Sequence, residues 1–91
     1  MLSQLSKKGT VRFVYGSDLP VKKVYLAGSF NNWKLIAMKR KQKGLYALEL
    51  NISKGWHEYK FIIDGVWQSD PENTDTARNP LGTINSVVIV R

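Results

Sequence analysis

His57-Glu58-Tyr59-Lys60-Phe61-Ile62-Ile63-Asp64-Gly65-Val66-Trp67 is the stretch whose reading decides the fold. Two apolar runs meet at Asp64-Gly65, the residue pair that a two-residue type I′ turn selects because both of its central positions take positive φ. The turn sets the register: Ile63 pairs with Val66 and Ile62 with Trp67, and a slip of one residue would send every side chain to the wrong face. Alternation along the first strand then puts His57, Tyr59, Phe61 and Ile63 on one face and Glu58, Lys60 and Ile62 on the other. With the aromatic face inward, Trp67 and, diagonally, Lys60 stand together on the outside of the sheet. An indole beside a hydrogen-bond donor suits a sugar, whose C–H face lies on the ring while its hydroxyls take directed hydrogen bonds. The competing reading is packing, with Trp67 covering a sheet edge and the Lys60 stem laid along it.

Upstream, Val24-Tyr25-Leu26-Ala27-Gly28-Ser29-Phe30-Asn31-Asn32-Trp33 is a β-branched and aromatic run that stops at small polar residues and delivers a tryptophan to a loop. Trp33 is thereby a second candidate platform, and two tryptophans in polar, turn-rich settings imply a patch where one would not. Trp56, directly after Gly55, reads more readily as packing. Short alternating runs recur at residues 9–15, 22–29, 45–52, 57–63, 66–69 and 85–90, bounded by Gly, Pro, Asn, Asp or Ser. Apolar residues nowhere keep a helical spacing for three turns, so the chain reads as an all-β sandwich. In the third run Tyr46, Leu48, Leu50 and Ile52 share a face. Residues 1–8 read as a flexible tail and 9–91 as one module, whose longest stretch without strand character, 70–84, has the length of many functional loops.

The 91 residues make one domain, with no room for a catalytic domain beside a binding one. No window approaches the ~18 apolar residues of a membrane helix, and Met-Leu-Ser-Gln-Leu-Ser-Lys-Lys lacks the core of a signal peptide, which predicts a soluble, cytoplasmic protein. Cysteine is absent and His57 is the single histidine, so neither a thiolate nor a histidine metal site can be assembled; no metal and no cofactor are expected. The seven acidic residues lie mostly in turns and offer no pair set across one bond as a glycosidase requires, nor is there a serine–histidine arrangement. An enzyme is not expected. The net charge of +7 gathers in one place, Lys39-Arg40-Lys41-Gln42-Lys43 before Gly44, read as a basic hairpin tip. Aromatic residues that could stack on bases are not interleaved with it, which argues against nucleic acid.

Five blocks in order, Gly28-Ser29-Phe30-Asn31-Asn32-Trp33, His57-Glu58-Tyr59-Lys60-Phe61, Asp64-Gly65-Val66-Trp67, Asp70-Pro71 and Leu81-Gly82-Thr83-Ile84-Asn85, resemble the family 48 carbohydrate-binding modules, of the glycogen-binding type found in the β subunit of AMP-activated protein kinase. The resemblance covers residues 10–91. It implies an immunoglobulin-like (E-set) antiparallel β-sandwich that binds α-1,4-linked glucans such as glycogen and starch without catalysis. It implies further that Trp33 and Trp67 stack on glucose rings and that Lys60 donates hydrogen bonds to glucan hydroxyls. Leu81 would project from the long loop against the apolar side of a helical glucan, with Thr83 and Asn85 as polar contacts. Similar modules adjoin isoamylase-type branching and debranching enzymes, so the alternative function is a protein-interaction sandwich that docks a kinase, phosphatase or amylolytic partner. Two positions depart from the kinase pattern: Trp56, where a polar residue is expected, and Ser86, where a second asparagine often follows Asn85. The loop leading to Leu81, with Asn79-Pro80, is also altered.

Overall fold

A computed structural model describes residues 2–4 by their backbone and residues 9–91 with their side chains. The strands, in chain order, are β1 (Leu2–Gln4), β2 (Thr10–Gly16), β3 (Val24–Gly28), β4 (Ile36–Ala37), β5 (Lys39–Gln42), β6 (Leu45–Asn51), β7 (Gly55–Ile63), β8 (Val66–Gln68), β9 (Thr76–Arg78) and β10 (Ile84–Val90). A 3-10 turn, Ser29–Asn31, follows β3. One sheet runs β1-β2-β6-β5 and the other β4-β3-β7-β10-β9, with β8 added to β7 beyond the end of β10. Every pairing among the described residues is antiparallel.

The period-two pattern builds the core directly. In the first sheet Val11, Phe13 and Tyr15 lie opposite Leu50, Leu48 and Tyr46, which places all six side chains on one face. In the second, Leu26 is opposite Phe61 and Tyr59 is opposite Ser86, giving the facing layer. The two layers meet edge to face, Phe13 against Tyr59 at 5.0 Å and Tyr15 tilted against Phe61 at 5.5 Å between ring centroids. Val11, Phe13, Leu26, Tyr59 and Phe61 are wholly buried there. The Asp64-Gly65 turn has φ of 48° and 85°, and Ile63 pairs with Val66 and Ile62 with Trp67, as the turn chemistry requires. Asp64 also anchors the hairpin to the approach of β3, since its Oδ1 accepts hydrogen bonds from the backbone N–H of Lys22 and Lys23 at 3.0 and 2.8 Å.

The structure differs from the sequence reading at the edges. Within the stretch read as a tail, Leu2–Gln4 pair with β2, Leu2 opposite Phe13 and Gln4 opposite Val11, because β2 otherwise has an open row of backbone groups; residues 1 and 5–8 lie outside the described residues. The basic run 39–43, read as a hairpin tip, is instead mostly strand β5, exposed throughout and paired to β6 with an irregularity between Arg40 and Gln42. Charged side chains on an edge strand discourage pairing with other chains, and they also hide the strand from a hydrophobic pattern search. Short β4 and β9 escape such a search for a similar reason: two or three residues carry no period.

The long segment after β8 is held by a buried polar cluster. Asp70, nearly wholly buried, accepts the Tyr59 hydroxyl proton at 2.7 Å and the Glu72 N–H at 2.9 Å, while its own N–H donates to the Ser86 hydroxyl at 2.7 Å. Asn73 donates to the Tyr59 oxygen and to the Val87 carbonyl. Burial first, and the adjoining Asp70 carboxylate second, push the Tyr59 phenol well above its ordinary range, so it stays a donor. No helix among the described residues is long and apolar enough to cross a membrane.

Candidate functional site

Trp33 is presented by a tightly determined corner. After Gly28 the chain makes its 3-10 turn and enters the left-handed region at Asn32 (φ 58°) and Trp33 (φ 61°). A bulky residue held there costs about 1–2 kcal/mol, so its neighbours must enforce it. The Trp33 N–H donates to the Gly28 carbonyl at 2.9 Å. Asn31 braces the turn from both sides: its Oδ1 accepts the Gly28 N–H at 3.2 Å and its Nδ2 donates to the Lys34 carbonyl at 2.9 Å. Ser29 ties the corner to β7 by accepting the Glu58 N–H at 2.9 Å, and Phe30 packs its ring 5.8 Å from Phe13. Gly28 has to be small, since a Cβ there would lie 2.7 Å from the Glu58 carbonyl oxygen and 2.6 Å from Phe30 Cζ. Gly28→Ala is therefore expected to cost about 2 kcal/mol and lower Tm by roughly 10 °C in a thermal melt.

The opposite wall comes from the hairpin and the 79–85 loop. Trp67, 46% exposed, stands beside Ile62 on the outer face; Ile62 is nonetheless buried, flanked across the strands by Tyr25 and Trp67. Lys60 Nζ donates to Thr83 Oγ1 at 3.0 Å. Asn79 organises the loop: its Oδ1 accepts the N–H of Leu81 and of Thr83 at 3.0 and 3.1 Å, which leaves its Nδ2 to donate to Thr83 Oγ1 and Asn85 Oδ1. Both acceptor positions of the Thr83 hydroxyl are thus taken, which leaves its proton to donate. Lys60 retains two further N–H donors. Asn85, only 5% exposed, also donates to Glu58 Oε1 at 2.8 Å.

Trp33, Lys60, Trp67, Leu81, Thr83 and Asn85 line one open groove of about 370 Å³, together with Asn79. All six residues named from the sequence are brought together. Their standing differs, however: Leu81 is 89% exposed, whereas Asn85 sits in the floor with both ends of its amide in hydrogen bonds within the protein. Asn79 was missed as a site residue. Its signal was legible, since an asparagine ahead of a proline commonly folds its side chain onto backbone N–H groups downstream. The coupling of Glu58 to Asn85 joins distant strands and left no local signal. His57 donates from Nε2 to the Ser53 carbonyl at 2.8 Å, lies edge-on to Phe30 and is not among the groove's lining residues. A larger hollow of about 530 Å³ opens at the β4 edge among Lys22, Tyr25, Met38 and Arg40, but carries no indole.

An exposed indole, Trp67, and a half-buried one, Trp33, over a polar floor on the outer face of an antiparallel sandwich are the build of a carbohydrate-binding module. The chain belongs to the family of the glycogen recognition site of AMP-activated protein kinase, which it matches over residues 10–91. Over 70 residues, 77% of this chain, it is 41% identical to the 5'-AMP-activated protein kinase subunit beta-1 of Rattus norvegicus and 37% identical to subunit beta-2 of Mus musculus. The match covers 25% and 26% of those two proteins, so the chain spans about a quarter of their length. Among solved structures, a maltogenic amylase from S. marinus superposes on 90% of this chain and 13% of its own, with a TM-score of 0.72 at 20% identity, which shows the shared fold.

Proposed function

We propose that residues 9–91 form a non-catalytic module that binds α-1,4-linked glucans, glycogen or starch, in the groove between Trp33 and Trp67. The observation that carries this reading is the convergence of two indoles, Leu81 and the Lys60–Thr83 donor pair in one open groove. In it, the indoles receive the C–H faces of glucose rings, Leu81 covers the apolar side of the chain's curve, and Lys60 and Thr83 donate to ring and hydroxyl oxygens. Asn85 acts mainly by holding Glu58 and the loop in place. An open groove leaves much of each sugar wet and each polar contact exchanges with water, so the expected Kd is roughly 10 μM to 1 mM.

Co-sedimentation with glycogen and titration with maltoheptaose test the reading; binding to both with no retention on cellulose is the expected outcome, and failure to bind either overturns it. Lys60→Met keeps the aliphatic stem and removes the donors, so it is expected to weaken maltoheptaose about tenfold by calorimetry at unchanged Tm. The kinase-subunit relatives support a second role, in which the module sits in a cytoplasmic kinase complex and brings it to glucan particles.

A further inference from the structure

We propose that Trp56, backed by Ile89, is a second sugar platform that extends the glucan-binding groove along the outer face of β7; this rests on the glucan reading of the main groove. Trp56 and Ile89 are direct cross-strand partners on β7 and β10, and both project outward, 55% and 51% exposed. They share that face with Glu58 and Lys60, so the outer residues of β7 run from Trp56 to the groove in one line. Lys60 lies four positions along the strand from Trp56, about 13 Å, a span that a few linked glucose units cross. No further strand among the described residues flanks Trp56 and Ile89: β3 ends at Gly28 opposite Tyr59, and β9 reaches only as far as Ser86 on β10.

The size of the patch decides its occupant. Half of an indole and half of an isoleucine side chain give an apolar island on the scale of one ring, far below the roughly 800 Å² per partner of a protein interface. A flat island of that size, collinear with a groove lined by two more indoles, fits one further sugar of the same chain. The floor between them is polar and half-buried, with Glu58 Oε1 accepting from Asn85, so the intervening sugars stay hydrated and exposed.

The test is calorimetric titration of the 91-residue chain, wild type, Trp56→Ala and Trp67→Ala, with maltotetraose and with a long linear maltodextrin. The wild type is expected to bind the long chain more tightly than the short one per binding site. Trp56→Ala should remove that difference, a loss of roughly five- to tenfold for the long chain, while leaving maltotetraose unchanged. Trp67→Ala should weaken both. Equal long-chain affinity in wild type and Trp56→Ala overturns this proposal and leaves the main groove standing; a wild type that binds neither glucan overturns both. A Trp56-dependent change in sedimentation of the free chain, with no change in long-chain affinity, would give the patch to a second copy of the chain and equally overturn it.

Discussion

Trp67→Ala is expected to reduce affinity for maltoheptaose by the order of 50-fold while the domain stays folded. Roughly half of the indole is in solvent, a face of about 100 Å², and at about 25 cal/mol per Å² its contact with a sugar contributes about 2–3 kcal/mol. The stability cost is smaller, because the tryptophan stands outside the sandwich core; what is lost is its cover over Ile62. About 1 kcal/mol, or a fall in Tm of about 5 °C, is expected. Tryptophan fluorescence and a thermal melt on the same preparation separate the two effects. A variant that unfolds would mean that Trp67 serves chiefly to pack the hairpin, and one that binds normally would remove it from the site.

Asp70→Ala is expected to produce the largest loss of stability among these variants, about 3 kcal/mol by chemical denaturation. The carboxylate is buried and accepts from both the Tyr59 hydroxyl and the Glu72 N–H; deletion leaves the buried tyrosine donor without its charged partner and frees the part-buried Glu72 N–H. Asp70→Asn retains one acceptor oxygen and should lose about half as much. The consequence reaches the groove, since Asp70 and Asn73 hold the segment that ends in Leu81 and Thr83 against β10. Glucan affinity of the folded fraction should therefore fall as well. A Tm within a few degrees of wild type would show that the cluster is dispensable.

What could be read from the sequence follows from how local each determinant is. Asp64-Gly65 and the alternation around it contain their own register, so Trp67, Lys60 and the inward Tyr59 and Phe61 were accessible from eleven consecutive residues. Trp33 is legible in the sequence as a candidate platform but not as a residue in left-handed backbone, because that conformation is imposed by Asn31 and by the Gly28 carbonyl in three dimensions. The groove's loop wall entered only through family resemblance. Leu81 and Thr83 carry no periodic signal, and the asparagine that fixes them acts through two backbone N–H groups. Asn85 lines the groove and also bonds its amide to Glu58 and Asn79, a pairing across strands that no stretch of sequence displays. The edge strands β1, β4, β5 and β9 were missed because edges are short or charged, which is how they avoid unwanted pairing.

The proposed site has a glucan lying against Trp33, Lys60 and Trp67. Its most direct measurement is a maltoheptaose titration followed by two-dimensional NMR, with the indole N–H resonances of the three tryptophans assigned. The Trp33 and Trp67 indole signals are expected to shift together along one binding isotherm, with the Thr83 and Lys60 amides moving in step. Indole signals that stay fixed while shifts appear along the basic strand β5, or nowhere, would contradict it.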